Sequence, residues 1–254
     1  MFIDCHVHLD SFSDAEVGEV LERARQVGVV AVISAGTTTI SSVRSVQLSA
    51  IYPGFFSGVG IHPMDIQEPF TDLTYQQLRD VATSSEKVLA ISEIGLDFMD
   101  GTPDRAMQYH AFRQQVRLAR DLKLPIVFHS RESHTEVLRV LREERAYEVG
   151  GVMHYFQADL ETAKRAIDLG FYVSLARPLL RLPHLQEAAA RIPLSNIVLE
   201  TDAPDMPLAG YQGQRNTPER LPMILSMLAE LRQVSEHSLA AATTANCQRV
   251  FHLS

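Results

Sequence analysis

Eight short apolar runs alternate along this chain with segments of helical period, and that alternation predicts an α/β protein with a parallel sheet. Three observations select a closed (β/α)8 TIM barrel over an open doubly wound sheet. The strands number eight. No GxGxxG or GxxxxGK-S/T phosphate loop follows the first of them. Polar residues stand after strands 1, 3, 4, 5, 6 and 8, and only a ring brings those ends to one place. An open sheet would spread them over about 35 Å, at about 4.8 Å per strand.

The predicted strands cover residues 2–4, 29–35, 54–61, 88–94, 125–129, 151–155, 171–175 and 196–200. Amphipathic helices are predicted over 14–27, 39–51, 74–84, 103–122, 133–144, 159–169 and 184–190, with two more over 218–232 and 235–248. Capping residues mark several starts: Ser13 and Asp14, Thr71 and Asp72, and Thr217 ahead of Pro218 and Glu219. Gly28, Gly150 and Gly170 stand just before strands, where a helix ends or a turn begins. Residues 206–217, with Pro207, Gly210, Gly213 and Asn216, form a long loop after strand 8, on the face where barrel loops carry function.

With 254 residues, 46% of them hydrophobic, the chain has enough apolar material for one sizeable core, and 1–254 is expected to be a single barrel domain. There is no charged-then-apolar leader and no run of the about 20 apolar residues that crosses a bilayer, so a soluble, cytoplasmic protein without membrane contact is expected. Nothing in the sequence calls for an obligate protein partner. The two cysteines, Cys5 and Cys247, form neither a CxxC zinc motif nor a disulfide framework. Strand alternation directs Cys5 and Val7 away from the face of His6 and His8, and Cys5 reads as a small buried apolar residue. A formal net charge of −8 excludes the basic field that coats nucleic acid non-specifically, while leaving room for a small local phosphate site.

Five segments bring metal-binding residue types to strand ends: Asp4-Cys5-His6-Val7-His8, then Glu93, His129, His154 and Asp202. His6 and His8, two apart on a strand, face the same way and can chelate one ion. Asp4 shares their face, either as acceptor for an imidazole N–H or as a strand-end polar group. Glu93 lies in the apolar run Val88-Leu89-Ala90-Ile91-Ser92-Glu93-Ile94, where a carboxylate is costly unless paired. It is either salt-bridged to an arginine or bridges two ions about 3.5–4 Å apart. His129 and His154 end neighbouring strands and read as neutral imidazoles for the second ion, although a lone strand-end histidine is often a satisfied core residue. Asp202 follows strand 8, next to strand 1 in a barrel, which suits a ligand of the first ion that also takes a proton from water. Glu200 shares its face, as a site residue or as one partner of an interior salt bridge. Asp97 reads as a loop cap or structural acceptor. His62 ends strand 3 as a helper toward substrate or leaving group. Arg131, Arg177, Arg181 and Arg215 lie after strands 5, 7 and 8; of these, Arg131 and Arg215 are the candidates for phosphate contacts. His110, His134, His184, His237 and His252 are given no role.

Taken together and in order, DCHVHLD, GIHP, EIGLD, FHSR, HYF and LETDAPDMP resemble the TatD family of metal-dependent deoxyribonucleases, a branch of the amidohydrolase superfamily. The resemblance runs from the first residues to beyond residue 220, and LETDAPDMPLAGYQGQRN looks most like the YjjV-type branch. It implies a TIM barrel with two divalent ions. His6, His8, Glu93 and Asp202 would hold one ion, and Glu93, His129 and His154 the other. Strand 4 has no lysine placed to bridge metals as a carbamate, Lys87 being at its far end, which moves the site toward the TatD pattern. Implied too is cleavage of DNA or oligonucleotide ends, as an exonuclease, by a metal-activated water with Asp202 as base and His62 assisting. Imidazole-rich ligands suit Zn²⁺, Mn²⁺, Ni²⁺ or Co²⁺, with Mg²⁺ preferring more oxygen. The alternative is hydrolysis of a small amide, lactone or phosphate ester on the same metals. A base-stacking platform is not evident beyond Phe98, Tyr155, Phe156 and Tyr211.

Overall fold

A computed structural model describes residues 1–204 and 215–253. Eight parallel strands follow one another in chain order: β1 (Phe2–Val7), β2 (Val29–Ala35), β3 (Phe55–Val59), β4 (Val88–Asp97), β5 (Ile126–Arg131), β6 (Gly151–Met153), β7 (Phe171–Leu175) and β8 (Ile197–Leu199). The seam between β8 and β1 is closed just beyond β8. Val7 bridges Ala203, the Asp202 N–H donates to the His6 carbonyl at 3.0 Å, and the His8 N–H donates to the Ala203 carbonyl at 2.6 Å. The expected TIM barrel is therefore the fold, and its last closing bonds join the two segments that carry His6, His8 and Asp202.

The helices are α1 (Asp14–Gln26), α2 (Thr39–Ile51), α3 (Asp72–Thr83), α4 (Arg105–Leu122), α5 (His134–Glu143), α6 (Leu160–Ile167), α7 (Pro183–Arg191), α8 (Leu221–Arg232) and α9 (Glu236–Val250). Ser13 and Thr71 cap α1 and α3 as their types predict. Thr217 starts a 3-10 turn at Pro218–Arg220 and makes no side-chain cap; its hydroxyl is buried without a partner. α1 shows why these segments are helical: a capping box opens it, and Val17, Val20 and Ala24 recur on one buried face. Inside the barrel, Ile3, Cys5, Ile33, Ala90, Val127, Val152 and Val198 pack with Cys247, Val250 and Phe251 of the α9 end, which plugs the ring from below. Each fully buried side chain of the Val, Leu, Ile or Phe kind contributes about 1.5–3 kcal/mol. No helix among the described residues is long and apolar enough to cross a membrane.

Strand lengths depart from the sequence reading in an informative way. β1, β4 and β5 run on to Val7, Asp97 and Arg131, beyond the apolar runs that mark them, because Gly95, Leu96 and Asp97 pair with His129, Ser130 and Arg131. Polar residues there are paired backbone facing a site, so hydropathy ends the strand too early. β6 and β8 are shorter than expected, and at β6 Tyr155 turns to φ 47° just after the strand. Cys5 corrects the alternation reading: it is buried with the inward-facing residues, while Val7 packs in the other cluster. The β1–β2 register shifts between Asp4 and Val7, and a bulge breaks the period of two.

Gly95 shows how tightly β4 and β5 are drawn together. Its φ is 154°, and an added Cβ would lie 1.9 Å from the His129 carbonyl oxygen. Gly95→Ala is expected to lower the unfolding free energy by about 2–4 kcal/mol, as strained backbone substitutions do. Urea denaturation followed by circular dichroism measures it, and a loss under about 0.5 kcal/mol, the size of an ordinary surface change, contradicts this packing.

Candidate metal centre

Three backbone devices aim the ligand-type side chains at one point above the barrel interior. At β4, the pairing with β5 shifts between Ile91 and Ile94, and Glu93 takes φ 61° on that bulge. Asp202 takes φ 55° as the chain leaves β8, and Tyr155, next to His154, takes φ 47°. Positive φ at non-glycine residues costs about 1–3 kcal/mol each and persists where the surroundings enforce it. Of the eight non-glycine residues with positive φ among the described residues, these three lie at the site. Glu93 is thus within its strand, held at a bulge, and not at the strand end where the sequence places it.

The side chains converge on Glu93. Its Oε1 lies 3.0 Å from His6 Nε2, 2.9 Å from His154 Nε2 and 3.9 Å from His8 Nε2, and its Oε2 lies 3.7 Å from His62 Nε2. Imidazoles therefore surround it, and the arginine salt bridge is not formed among the described residues. Asp202 Oδ1 lies 3.4 Å from His8 Nε2 and 3.8 Å from His6 Nε2. Donor atoms fall into three overlapping groups: His6, His8 and Glu93; His6, His154 and Asp202; His62, Glu93 and His129. All six expected ligands meet here, but grouped differently from the expected division. The His154 ring stacks on His6 at 4.2 Å, while His129 meets His62 edge-on at 4.4 Å.

The far side of each ring decides which nitrogen is a donor of electrons. His8 Nδ1 donates to the Ala35 carbonyl at 2.9 Å, so Nε2 is the nitrogen that faces the carboxylates, ready to hold a proton or an ion. His129 Nε2 donates to Asp97 Oδ2 at 2.9 Å, which leaves the lone pair of the neutral ring on Nδ1. His62 is the reverse case: its Nδ1 accepts the Met64 N–H at 3.1 Å, so the neutral ring carries its proton on Nε2, toward Glu93. That tautomer makes His62 a hydrogen-bond donor to the centre. Such outer partners set ring orientation and basicity in metal sites.

Residues whose roles are open or unassigned from sequence supply this support. Asp97, the buried last residue of β4, also accepts from Arg131 at 2.7 Å and, through Oδ1, from the Met99 N–H at 3.1 Å, so it is a structural acceptor and caps the loop that follows. Asp4 accepts from the Thr201 N–H at 2.9 Å and its hydroxyl at 2.6 Å, so it ties β1 to the end of β8 and holds no imidazole. Two buried glutamines on α4, with no mark in the sequence except their spacing of seven, pin strand ends: Gln108 bonds Asp97, and Gln115 bonds Ile61 beside His62.

The charge balance fits a cation. Burial opposes the ionised form of Glu93, but the surrounding histidines outweigh it and hold the carboxyl well below its usual range. Asp202 is likewise lowered, burial being overcome by His8 above all. Burial also opposes charge on His8, yet Asp202 and Glu93 lift that ring to about 9. Burial drives His62 down to about 3, with Glu93 only partly opposing, so it is neutral. Both nitrogens of His154 are buried without a hydrogen bond, although Nε2 lies 2.9 Å from Glu93. Two carboxylates and a ring of imidazole nitrogens, those of His154 without a hydrogen bond, are the donor set of a borderline divalent ion such as Zn²⁺ or Mn²⁺.

A cavity of about 850 Å³ opens over this centre. His8, His62, Glu93, His129, His154 and Asp202 lie in its floor, with Arg131, Arg177 and Arg181 among its walls. Arg215 does not line it: the guanidinium lies 4.0 Å from the Phe12 ring and 3.3 Å from the Ser11 oxygens. Tyr155, Phe156 and Met99 give the cavity apolar surface, whereas Phe98 is covered by Arg105 at 4.2 Å. His134, given no role from sequence, reaches the wall and hydrogen-bonds Ser130 at 2.7 Å. Most of the 206–217 loop, with Tyr211, lies outside the described residues.

A closed parallel barrel with a histidine and carboxylate centre at its C-terminal mouth defines a barrel hydrolase of the metal-dependent kind. The model of the TatD related DNase family matches residues 3–252, and the chain belongs to that family of metal-dependent hydrolases. It is 31% identical to the metal-dependent hydrolase YabD of Bacillus subtilis, over 100% of both chains. It is 33% identical to the metal-dependent hydrolase YjjV of Escherichia coli K12, over 99% of this chain and 98% of YjjV. The crystal structure of YjjV superposes with a TM-score of 0.92 at 32% identity, covering 100% of this chain and 98% of that one.

The pH dependence of the metal-stripped protein tests the charge balance. His8 titrates higher when folded, so its contribution to stability is full below 6.5 and lost as the pH rises through about 9. Burial lifts Asp4 from 3.8 to about 8 against the Thr201 hydrogen bonds, so it too disfavours the folded state as pH rises. Glu93 and Asp202, both lowered, act oppositely, and their contribution is lost only in acid. The urea midpoint is expected to fall between pH 6.5 and 9 and to recover on adding a divalent ion. A midpoint that rises or stays level over that window contradicts the balance.

Proposed function

We propose that this protein is a divalent-metal-dependent phosphodiesterase that trims DNA or oligonucleotides from an end. The observation that carries the reading is the position of Glu93, whose two oxygens face different histidines and belong to two of the three donor groups. A carboxylate so placed suits a bridge between two ions. His6, His8, Glu93 and Asp202 would hold one ion, and Glu93, His129 and His154 the other. Bound divalent ions acidify water and stabilise the charge that develops on phosphate oxygens. Asp202, one oxygen of which faces His8, takes the proton from the attacking water. His62 keeps a neutral ring and offers its Nε2–H as a hydrogen bond to a phosphate or leaving-group oxygen. Arg131, held by Asp97, presents its guanidinium at the cavity wall for the neighbouring phosphate. The family name, TatD related DNase, supports DNA as substrate.

The size of the cavity favours a second reading, hydrolysis of a small amide, lactone or phosphate ester, because about 300–1,000 Å³ is usual for small-molecule sites. One experiment separates the two. Metal-stripped protein receives Mg²⁺, Mn²⁺ or Zn²⁺ with end-labelled single-stranded DNA, beside Asp202→Asn and His62→Gln. Laddering from one end is expected with at least one metal. It should fall by about 10²–10⁴-fold in Asp202→Asn, as loss of a general base does, and by about 10²-fold in His62→Gln. Full activity in Asp202→Asn rejects the assigned base. No cleavage by a sample that binds two ions moves the reading to small esters and amides.

A further inference from the structure

Beneath the centre lies a carboxylate with no part in the mechanism above. Glu200, at the end of β8, is fully buried. Among the described residues no lysine or arginine pairs with it. A buried carboxylate without compensation is strongly disfavoured, so its partners must account for its presence. Its Oε1 accepts the Tyr155 N–H at 2.7 Å and lies 3.5 Å from His154 Nδ1; its Oε2 accepts from the Cys5 thiol at 3.7 Å. Cys5 in turn lies 3.4 Å from the Ser174 hydroxyl. Of these partners only His154 can carry positive charge.

We propose that Glu200 is a positioning residue for His154, setting its tautomer and hence its capacity to bind an ion. One oxygen, Oε1, faces both the His154 ring and the next peptide N–H. Tyr155 takes its positive φ at the same point, so the strained backbone and the ring share a single acceptor. An acceptor at Nδ1 requires the proton there. The Nε2 lone pair is then free, and it faces Glu93 Oε1 at 2.9 Å within the group formed with His6 and Asp202. The opposite tautomer would put a proton on the nitrogen that would bind the ion. At 3.5 Å the Nδ1 contact is longer than an ordinary hydrogen bond, so its hold is electrostatic and the negative charge matters as much as the shape. Cys5 and Tyr155 fix the carboxylate from its other sides.

This inference rests on the metal-centre reading, and its test keeps the two apart. Zn²⁺ binding to the metal-stripped protein is measured by calorimetry, with wild type beside Glu200→Gln and Glu200→Leu. Wild type that binds no ion removes the metal reading itself. Given a wild type that binds, Glu200→Gln keeps an acceptor and loses the charge, and about tenfold weaker binding is expected at one ion. Glu200→Leu loses both, and about 100-fold weaker binding is expected. Nitrogen-15 spectra of the Zn²⁺-loaded protein, with His154 assigned by difference from His154→Gln, should show a protonated Nδ1 in wild type and Glu200→Gln and its loss in Glu200→Leu. A merely structural carboxylate would lower thermal stability without moving that resonance. Wild-type affinity in both variants, or an unprotonated Nδ1 in wild type, overturns the proposal. The wild-type spectrum decides even where a variant fails to fold.

Discussion

The constraint on which the rest of this structure depends is the burial of Glu93. A carboxylate in the middle of an apolar strand must be compensated, and here, among the described residues, every compensating group paired with it is an imidazole. Imidazoles solve the problem only conditionally. Each can offer a proton or a lone pair, so the same cluster is neutralised by protons in one state and by cations in another. An arginine would have settled the charge once and left nothing to exchange.

That demand reaches into the backbone. For its carboxylate to meet rings from β1, the end of β3 and the end of β6, Glu93 leaves the strand alternation and takes a left-handed conformation at a bulge. β4 then resumes pairing as far as Asp97, with Gly95 pressed on the His129 carbonyl, and that continuation places Asp97 behind His129. Asp202 reaches the same point by closing the barrel, its N–H bonded to the His6 carbonyl. Fold closure and site assembly are the same hydrogen bonds at this seam, which is why the His-x-His segment and the aspartate meet although nearly two hundred residues separate them.

What was legible in the sequence follows from this. Parallel strands covered on both faces are apolar runs, so eight of them were countable, and a polar residue after such a run stands out as Glu93, His129 and His154 do. The barrel order then placed Asp202 beside His6 and His8. Bulges leave no trace in residue identity, so neither the length of β4 nor the inward turn of Cys5 could be read. Supporting residues were hidden for another reason. Asp4, Asp97 and Glu200 are chemically like the ligands, and only distance separates a carboxylate that faces the centre from one that backs a ring or a peptide. Arg215 shows the limit for long side chains: its place in the sequence suited a phosphate contact, but its guanidinium lies over Phe12.

The acidity of the chain belongs in the same account. Asp4, Glu93, Asp97, Glu200 and Asp202 are all drawn into the centre or its supports, so part of the net charge of −8 is structural, and two divalent ions would add four positive charges to it. The remaining surface repels a polyanion laid along it, since association with nucleic acid follows the field of the whole protein. Three arginines, Arg131, Arg177 and Arg181, line the walls of the cavity above the metal centre and would offer a phosphate local positive charge. On the proposed reading, that distribution of charge would favour the end of a strand over its middle, because an end would bring one or two phosphates into the cavity and leave the rest of the polyanion in solvent.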